Sequence, residues 1–444
     1  IETIDATHSK STRYSYDGRG FLSQRTDDLD GLNRSVTMHY DAFGFMDEFT
    51  DGRKNTTLYK WNKRGEQIKI SNPQNKFKKI GYDAFGRIIS ETDNLQREIT
   101  KYIYDDQNNK LTLKDPKRGS EIITEYNAFG DKLSLVDSNK NTTTFTYDER
   151  GLLTRVDAPE NTSKTYHYDA AGQLQWQEDS GGHKIAYTYD AQGHVLTKTI
   201  DPEGLNIVSQ YAYDAIGRQI QITENKRVTQ FTYNDQGLLV KSCVDPKGLN
   251  LITEYSYDAR GLLLRKTELN RNGHDKVTAY TWDNLDRCIA TIQDPDNLCL
   301  STQYQFDEND NLICQTDARG NSTHYVYDVN NQCRYQINAR GVVNEHIYNP
   351  NGYESQTITY AKPINLAANY SESSLSQLLV KDAKDQYTFR EWDAAGRLEK
   401  LFDALGYATL YKYDSNDNIV SITKSAVAVS IEDLKAGNPV KLDR

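Results

Sequence analysis

The residues best able to do chemistry in this chain are its 63 Asp and Glu, 8 His and 5 Cys. At such a density many carboxylates fall near one another, and a pair at the right separation can run acid–base hydrolysis. Two strings resemble the start of a calcium loop: Asp307-x-Asn309-x-Asn311 and Asp414-x-Asn416-x-Asn418 set oxygen ligands at alternate positions. Each then has an apolar residue, Leu312 or Ile419, where such a loop requires Gly, and neither has Glu at its twelfth position. The histidines, from His8 to His346, show no H-E-x-x-H and no shared spacing. His167 lies between Tyr166 and Tyr168, so strand alternation predicts a solvated imidazole on the face opposite the rings. The cysteines Cys243, Cys288, Cys299, Cys314 and Cys333 are odd in number and form no C-x-x-C pair. They are expected as small buried hydrophobes, with a bridge between two of them left open. No nucleophile elbow, phosphate loop or dinucleotide fingerprint occurs. The expectation is a chain with no catalytic residue, no cofactor and no metal.

What must position these groups is a repeat. An aromatic residue followed by Asp or Asn recurs in 18 copies from Tyr16-Asp17 to Tyr413-Asp414, at spacings of 20 to 25 residues with one gap of 44. Three residues after the Asp or Asn comes Gly in 13 copies, and Asn108, Asp286, Asp310, Asn331 or Asp417 in the other five. Representative triplets are Tyr16-Asp17-Gly20, Tyr82-Asp83-Gly86, Tyr147-Asp148-Gly151, Tyr168-Asp169-Gly172, Tyr213-Asp214-Gly217, Tyr257-Asp258-Gly261 and Trp392-Asp393-Gly396. Gly, Asn and Asp accept positive φ at least cost, and Asp can accept a hydrogen bond from the backbone two residues on. The string therefore predicts a hairpin with a type I turn and a bulge. Before it, rings alternate with polar residues, as in Tyr166-x-Tyr168 and Tyr187-x-Tyr189, so both rings of a pair share one sheet face. After it comes an aliphatic residue such as Leu22, Ile88, Leu133, Leu153 or Leu174. A second, return turn follows, for example Asp201-Pro-Glu-Gly204 or Asp317-Ala-Arg-Gly320.

Eighteen such units predict about 36 strands and, at roughly 4.8 Å per strand, a sheet on the order of 170 Å long. A sheet that long must curl; closed once, it would be a cylinder roughly 55 Å across, too wide for side chains to fill. The fold expected is all-β: one long antiparallel sheet of repeated β-hairpins, coiled into a curved wall or hollow shell.

Composition agrees with a thin wall. Tyr accounts for 31 residues against 12 Phe. Leaving Tyr out and counting Gly puts the apolar share at about 36%, below the 45–50% or so of ordinary globular chains. A pI near 5.4 argues against a general nucleic-acid binder. No apolar run is long enough for a membrane-spanning helix. The chain opens at Ile1 in mid-pattern, as a piece excised from something longer would.

The period is broken twice. Within an insertion at 361–386, the stretch Ser371 to Ala383 reads as a short helix, with Leu375, Leu378 and Leu379 as its apolar stripe and Ser371 or Ser373 as N-cap. This insertion is expected to pack on the sheet. Residues 1–424 form the repeat wall, and 425–444 a tail in which Ser430 to Asp433 resembles a capping box stopped by Gly437 and Pro439.

The unit Tyr147-Asp148-Glu-Arg-Gly151-Leu-Leu-Thr-Arg-Val-Asp157 resembles the YD repeat of the Rhs family, which includes bacterial Rhs polymorphic toxins, the B and C components of Tc toxin complexes, and teneurins. The resemblance runs from about Tyr14 to Thr423, outside the insertion. It implies a hollow β-shell that in toxin members encloses a toxic C-terminal polypeptide. The shell of those members closes on a D-P-x-G-L cleavage motif. Here Asp201-Pro-Glu-Gly204-Leu205 and Asp245-Pro-Lys-Gly248-Leu249 match the string but fall in ordinary return turns with further repeats following.

By this reading the chain is a non-catalytic shell segment of a large secreted toxin, partnered by the remainder of its own parent chain: shell, cap and cargo. The alternative is a cell-surface adhesion array that binds glycans or surface proteins through aromatic faces. The left-handed turn predicts that Gly151→Val costs about 1–3 kcal/mol in urea unfolding. By the same reading, Gly52→Val, outside the repeated slot, costs less.

Overall fold

The computed structural model describes residues 2–5, 10–29, 31–93, 98–116, 119–270, 273–393 and 395–437. Among the described residues thirty-seven strands, from Glu2–Asp5 to Ile419–Lys424, form one antiparallel sheet in which each strand pairs with the next in sequence. The additional strand over the expected number is the first, Glu2–Asp5. Alternation of polar and apolar residues explains why the elements are strands: in Thr142–Tyr147, Thr142, Thr144 and Thr146 are exposed while Phe145 and Tyr147 are half-buried on the other face.

The sheet does not close into one cylinder; it meets itself as a spiral. Asn284, in the turn after the twenty-sixth strand, donates to Asp28, in the turn after the third. Asn309, after the twenty-eighth, donates to Asp51, after the fifth. Asn416, after the thirty-sixth, donates to Asp137, after the thirteenth. The interval is 23 strands each time. An odd interval is required, because in an antiparallel meander the two kinds of turn lie on opposite edges. One coil's return turns thus meet the next coil's YD turns. At roughly 4.8 Å per strand the coil is about 110 Å around and about 35 Å across, narrower than the single closure expected from sequence.

A wall of this kind leaves both faces near water. The accessible surface is 26747 Å², whereas a compact monomer of this mass would expose about 17,000 Å². A buried apolar cluster lies where the insertion crosses the sheet: Val326, Tyr335, Ile337, Val343, Ile358, Tyr360 and Tyr387 pack around Leu375, which is fully buried. Leu375 belongs to helix α1 (Glu372–Leu378), which is shorter than the sequence suggests. Ser371 caps it reciprocally with Ser374. Leu379 packs against the cluster, but Leu378 is 48% exposed, so the stripe is narrower than its spacing implied.

Helix α2 (Ile431–Ala436) ends on Gly437 in the left-handed region at φ 67, while Ser430 makes no side-chain cap, so the expected capping box does not form. Pro439 lies outside the described residues.

Gly52 requires a correction. A Cβ there would lie 2.5 Å from the Glu308 carbonyl oxygen across the seam between coils. Gly151 instead sits at φ +78 with open space around it. Gly52→Val should therefore destabilise at least as much as Gly151→Val, reversing the expected order. Urea melts of the two variants check this; a Gly52→Val protein within about 0.5 kcal/mol of the parent would show that the seam is not formed in solution.

Candidate functional site

The recurrent site is the turn edge. In its plainest copy the Asp148 carboxylate accepts the backbone N–H groups of Arg150 at 3.0 Å and Leu152 at 2.9 Å. The Gly151 N–H donates to the Asp148 carbonyl at 3.0 Å. The left-handed residue adds one position to its strand, so the pairing shifts and Tyr147 faces Leu153. Equivalent carboxylate bonds occur at Asp17, Asp83, Asp169, Asp214, Asp258 and Asp393, and Gly20, Gly86, Gly172, Gly217, Gly261 and Gly396 all have positive φ. The copy at Asn108 departs from this: the left-handed residue there is Asn109, in a longer loop. Likewise Lys132, rather than the aliphatic Leu133, pairs with Tyr126.

The motif ring ties one hairpin to the previous one. Between the strands Leu174–Asp179 and Lys184–Tyr189 the ladder stops at Trp176 on the YD edge. Beyond it the Tyr189 hydroxyl donates to the Leu174 carbonyl at 2.7 Å. Tyr82, Tyr147, Tyr168, Tyr213 and Tyr257 make the same bond to Gln67, Lys132, Leu153, Val195 and Leu239, and Trp392 uses its indole N–H on Glu354. Burial pushes the phenols of Tyr327 and Tyr348 up to about 12, which keeps them protonated as donors.

A position the sequence reading missed covers these rings. The residue after the left-handed slot lies over the next repeat's ring: Arg87 over Tyr104 at 4.1 Å, Arg397 over Tyr413 at 4.8 Å, Phe21 on Tyr40 at 5.0 Å and Tyr353 on Trp392 at 5.0 Å. At Arg218, Arg287 and Arg397 it also binds its own motif Asp and the next motif's carbonyl, as with Asp214 and Asn234, while Arg87 binds the carboxylates of Asp83 and Asp106. Its signal in the sequence was the recurrence of Arg or an aromatic just after Gly.

At the seam one side chain reaches four partners at once. The Arg53 guanidinium reaches Asp307 at 3.3 Å, the carbonyls of Tyr327 and Asp328 at 2.8 and 2.9 Å, and Asn331 at 3.0 Å. Arg34 pairs with Asp310 at 2.8 Å. The strings that looked like calcium loops are thus docked YD turns. The Asp307 and Asp414 carboxylates accept amide donors, from Asn311 at 2.9 Å and from Asn418 and Asn139 at 2.9 and 3.0 Å. Among the described residues no group of three His, Cys, Asp or Glu is placed to hold a metal.

Other residues singled out from sequence are dispersed. Cys243 and Cys314 are buried, Cys288 and Cys333 half-buried and Cys299 exposed, and all five are unbridged thiols. His167 is exposed and stacks on Trp176 at 5.3 Å, so it is more than a solvated ring. Both D-P-x-G-L strings form return turns, with the Leu205 and Leu249 N–H groups donating to Asp201 and Asp245. A cleft of about 320 Å³ opens between the seam and the insertion, lined by Arg53, Asp307, His324, Tyr370 and Glu372. Behind α1, the buried Glu345 carboxylate takes Tyr360 and Arg334, each at 2.6 Å.

A ribbon of hairpins, stapled ring to carbonyl and sealed coil to coil, defines the β-shell class of wall. The family model of the teneurin YD-shell matches residues 36–205 and 183–371, that of the RHS repeat matches residues 392–426, and the chain belongs to this YD-shell family. It is 30% identical over 191 residues to double-stranded DNA deaminase toxin A of Burkholderia cenocepacia (strain H111), covering 42% of this chain and 12% of that protein. With the tRNA3(Ser)-specific nuclease WapA of Bacillus spizizenii it shares 25% identity over 242 residues, 46% of this chain and 10% of that one. The chain therefore spans about a tenth of the length of these curated relatives. Among solved structures, TcdB2-TccC3-TEV superposes with a TM-score of 0.60 at 15% identity over 91% of this chain and 27% of that one. TcdB2-TccC3-Cdc42 gives 0.61 at 14% identity over 94% and 29%. At these identities the likeness is one of fold.

Two outcomes follow. Tyr189→Phe should cost about 0.5–1.5 kcal/mol in urea unfolding, since it leaves the Leu174 carbonyl without its donor. The second concerns acid. Backbone N–H donors, from Phe21 and from Leu152 first, hold Asp17 and Asp148 below the usual carboxylate range, and Asn418 first among its donors holds Asp414 at about 2. Carboxylates depressed in the folded state stabilise fully above their unfolded value of about 3.9 and lose that contribution as pH falls through the folded one. Circular dichroism should therefore show acid unfolding between about pH 4 and 2; a transition complete by pH 5 would contradict the turn carboxylates' role.

Proposed function

We propose that the chain is a segment of shell wall from a large secreted YD-repeat toxin, that the wall encloses a toxic polypeptide, and that it contributes no catalytic residue. Residues 1–424 are the wall and 425–444 an appended tail. The motif Tyr, Asp and Gly positions act as determinants of turns and staples. The observation that carries the reading is the seam: a ribbon that meets itself every 23 strands bounds a space instead of filling it. Allowing about 5 Å of side chain inside each wall, the bore is roughly 25 Å, wide enough for an unfolded or partly folded chain. Of the two curated relatives one is named a DNA deaminase toxin and the other a tRNA nuclease; the first name supports a toxin setting. No helix among the described residues is long and apolar enough to cross a membrane. The partner is then the remainder of the parent chain.

A second reading, an adhesion or glycan-binding array, rests on a row of rings on the YD edge of the first coil. Phe43, Phe85 and Phe129 are 75%, 80% and 92% exposed, each presented at a turn tip where a sugar face could stack.

Electron microscopy of the parent chain separates the two. A hollow shell with density inside its lumen, and cargo resistant to protease until the shell is opened, is the expected result. A solid rod, or saturable glycan binding by this chain with no lumen, would overturn the container.

A further inference from the structure

Gly holds the left-handed slot in 13 of the 18 YD turns, and it is the residue that accepts that backbone most freely. Four turns place a side chain there instead: Asp286 at φ 64, Asp310 at φ 65, Asn331 at φ 61 and Asp417 at φ 67. All four lie in the second coil, and each belongs to a turn that a return turn of the first coil reaches. Asn284 donates to Asp28; Arg34 donates to Asp310; Arg53 donates to Asn331; Asn416 and Asn139 exchange bonds with Asp137 and Asp414.

The chemistry of the slot is specific. The Asp310 carboxylate takes Arg34 from the first coil and Arg287 from its own. The Asn331 oxygen takes Arg53 from the first coil together with the amides of Asn309 and Asn311. Asp286 and Asp417 hold Arg260 and Arg397, which reach across from the preceding hairpins. A side chain in the left-handed region is harder to accommodate than Gly, so its presence needs a return. At Asp310 and Asn331 that return is an acceptor for a guanidinium from across the seam; at Asp286 and Asp417 it is an acceptor for an arginine of the same coil.

We infer that Asp310 and Asn331 are specificity residues of the coil-to-coil contact: they set which YD turns accept a guanidinium from the other coil, with Arg34 and Arg53 as their counterparts. In the first coil, the slots of Gly130 and Gly151 have open space around them and lie on a different, undocked rim. This inference goes beyond the container reading and does not depend on a cargo.

The test is the double variant Asp310→Gly/Asn331→Gly in the full 444-residue chain. Glycine suits the slot, so the turns themselves should form. The reporter is the Arg53 amide, which donates to Asn309 across the seam. Its hydrogen exchange should quicken by about tenfold or more, since bonds to charged partners are lost. Gly130→Asn, which puts an amide into a first-coil slot, should leave Arg53 exchange unchanged. If the double variant is as stable as the parent, or more so, and Arg53 exchanges at the parent rate, the slot residues are turn formers only and the inference fails. A quickening of equal size in Gly130→Asn would overturn it as well, by showing that the reporter senses the whole sheet.

Discussion

The structure depends on one carboxylate accepting two backbone N–H groups. When the motif Asp fixes its turn, as Asp148 does with Arg150 and Leu152, the left-handed residue that follows adds one position to the strand. That bulge decides which side chains face across the hairpin, and it lets successive hairpins separate at their YD ends. The next motif ring, Tyr or Trp, then supplies a donor to the carbonyl beyond the shortened ladder. Turn, bulge and staple are one unit, and the wall is that unit repeated.

A wall built this way has little dry interior to rely on. Its stability is distributed over ladders, ring stacks and guanidinium clamps between neighbours, each modest and local, as in other repeat architectures. Where the period is broken, a conventional core appears: α1 lays Leu375 onto Ile337, Val343 and Ile358. The insertion thus thickens the wall at one place, beside the seam formed by Arg53 and Asp307.

Much of this was legible one hairpin at a time. Tyr166-x-Tyr168 and Asp169-x-x-Gly172 specify strand, face and turn through neighbours only a few residues away, so the strand order and the turn edge follow from spacing. The Arg and aromatic residues after the slot were equally visible as a recurrence, yet their role needed the distance from Arg87 to Tyr104. Gly52 looked ordinary because its constraint is the backbone of Glu308, 256 residues away.

What the sequence by itself determined is the unit: the period, the left-handed slot, the alternation of faces and the breaks at the insertion and tail. These are local, carried by backbone preferences and period-two patterning that each hairpin expresses alone. Only the tertiary structure decided how far the sheet curls before it meets itself, and therefore that the interval is 23 strands, that the coil is about 35 Å across, and that Arg53 and Asp310 face partners in another coil. Curl accumulates from small twists and separations at every strand pair. No single repeat encodes their sum, so the residues that join the coils become recognisable only once that sum is known.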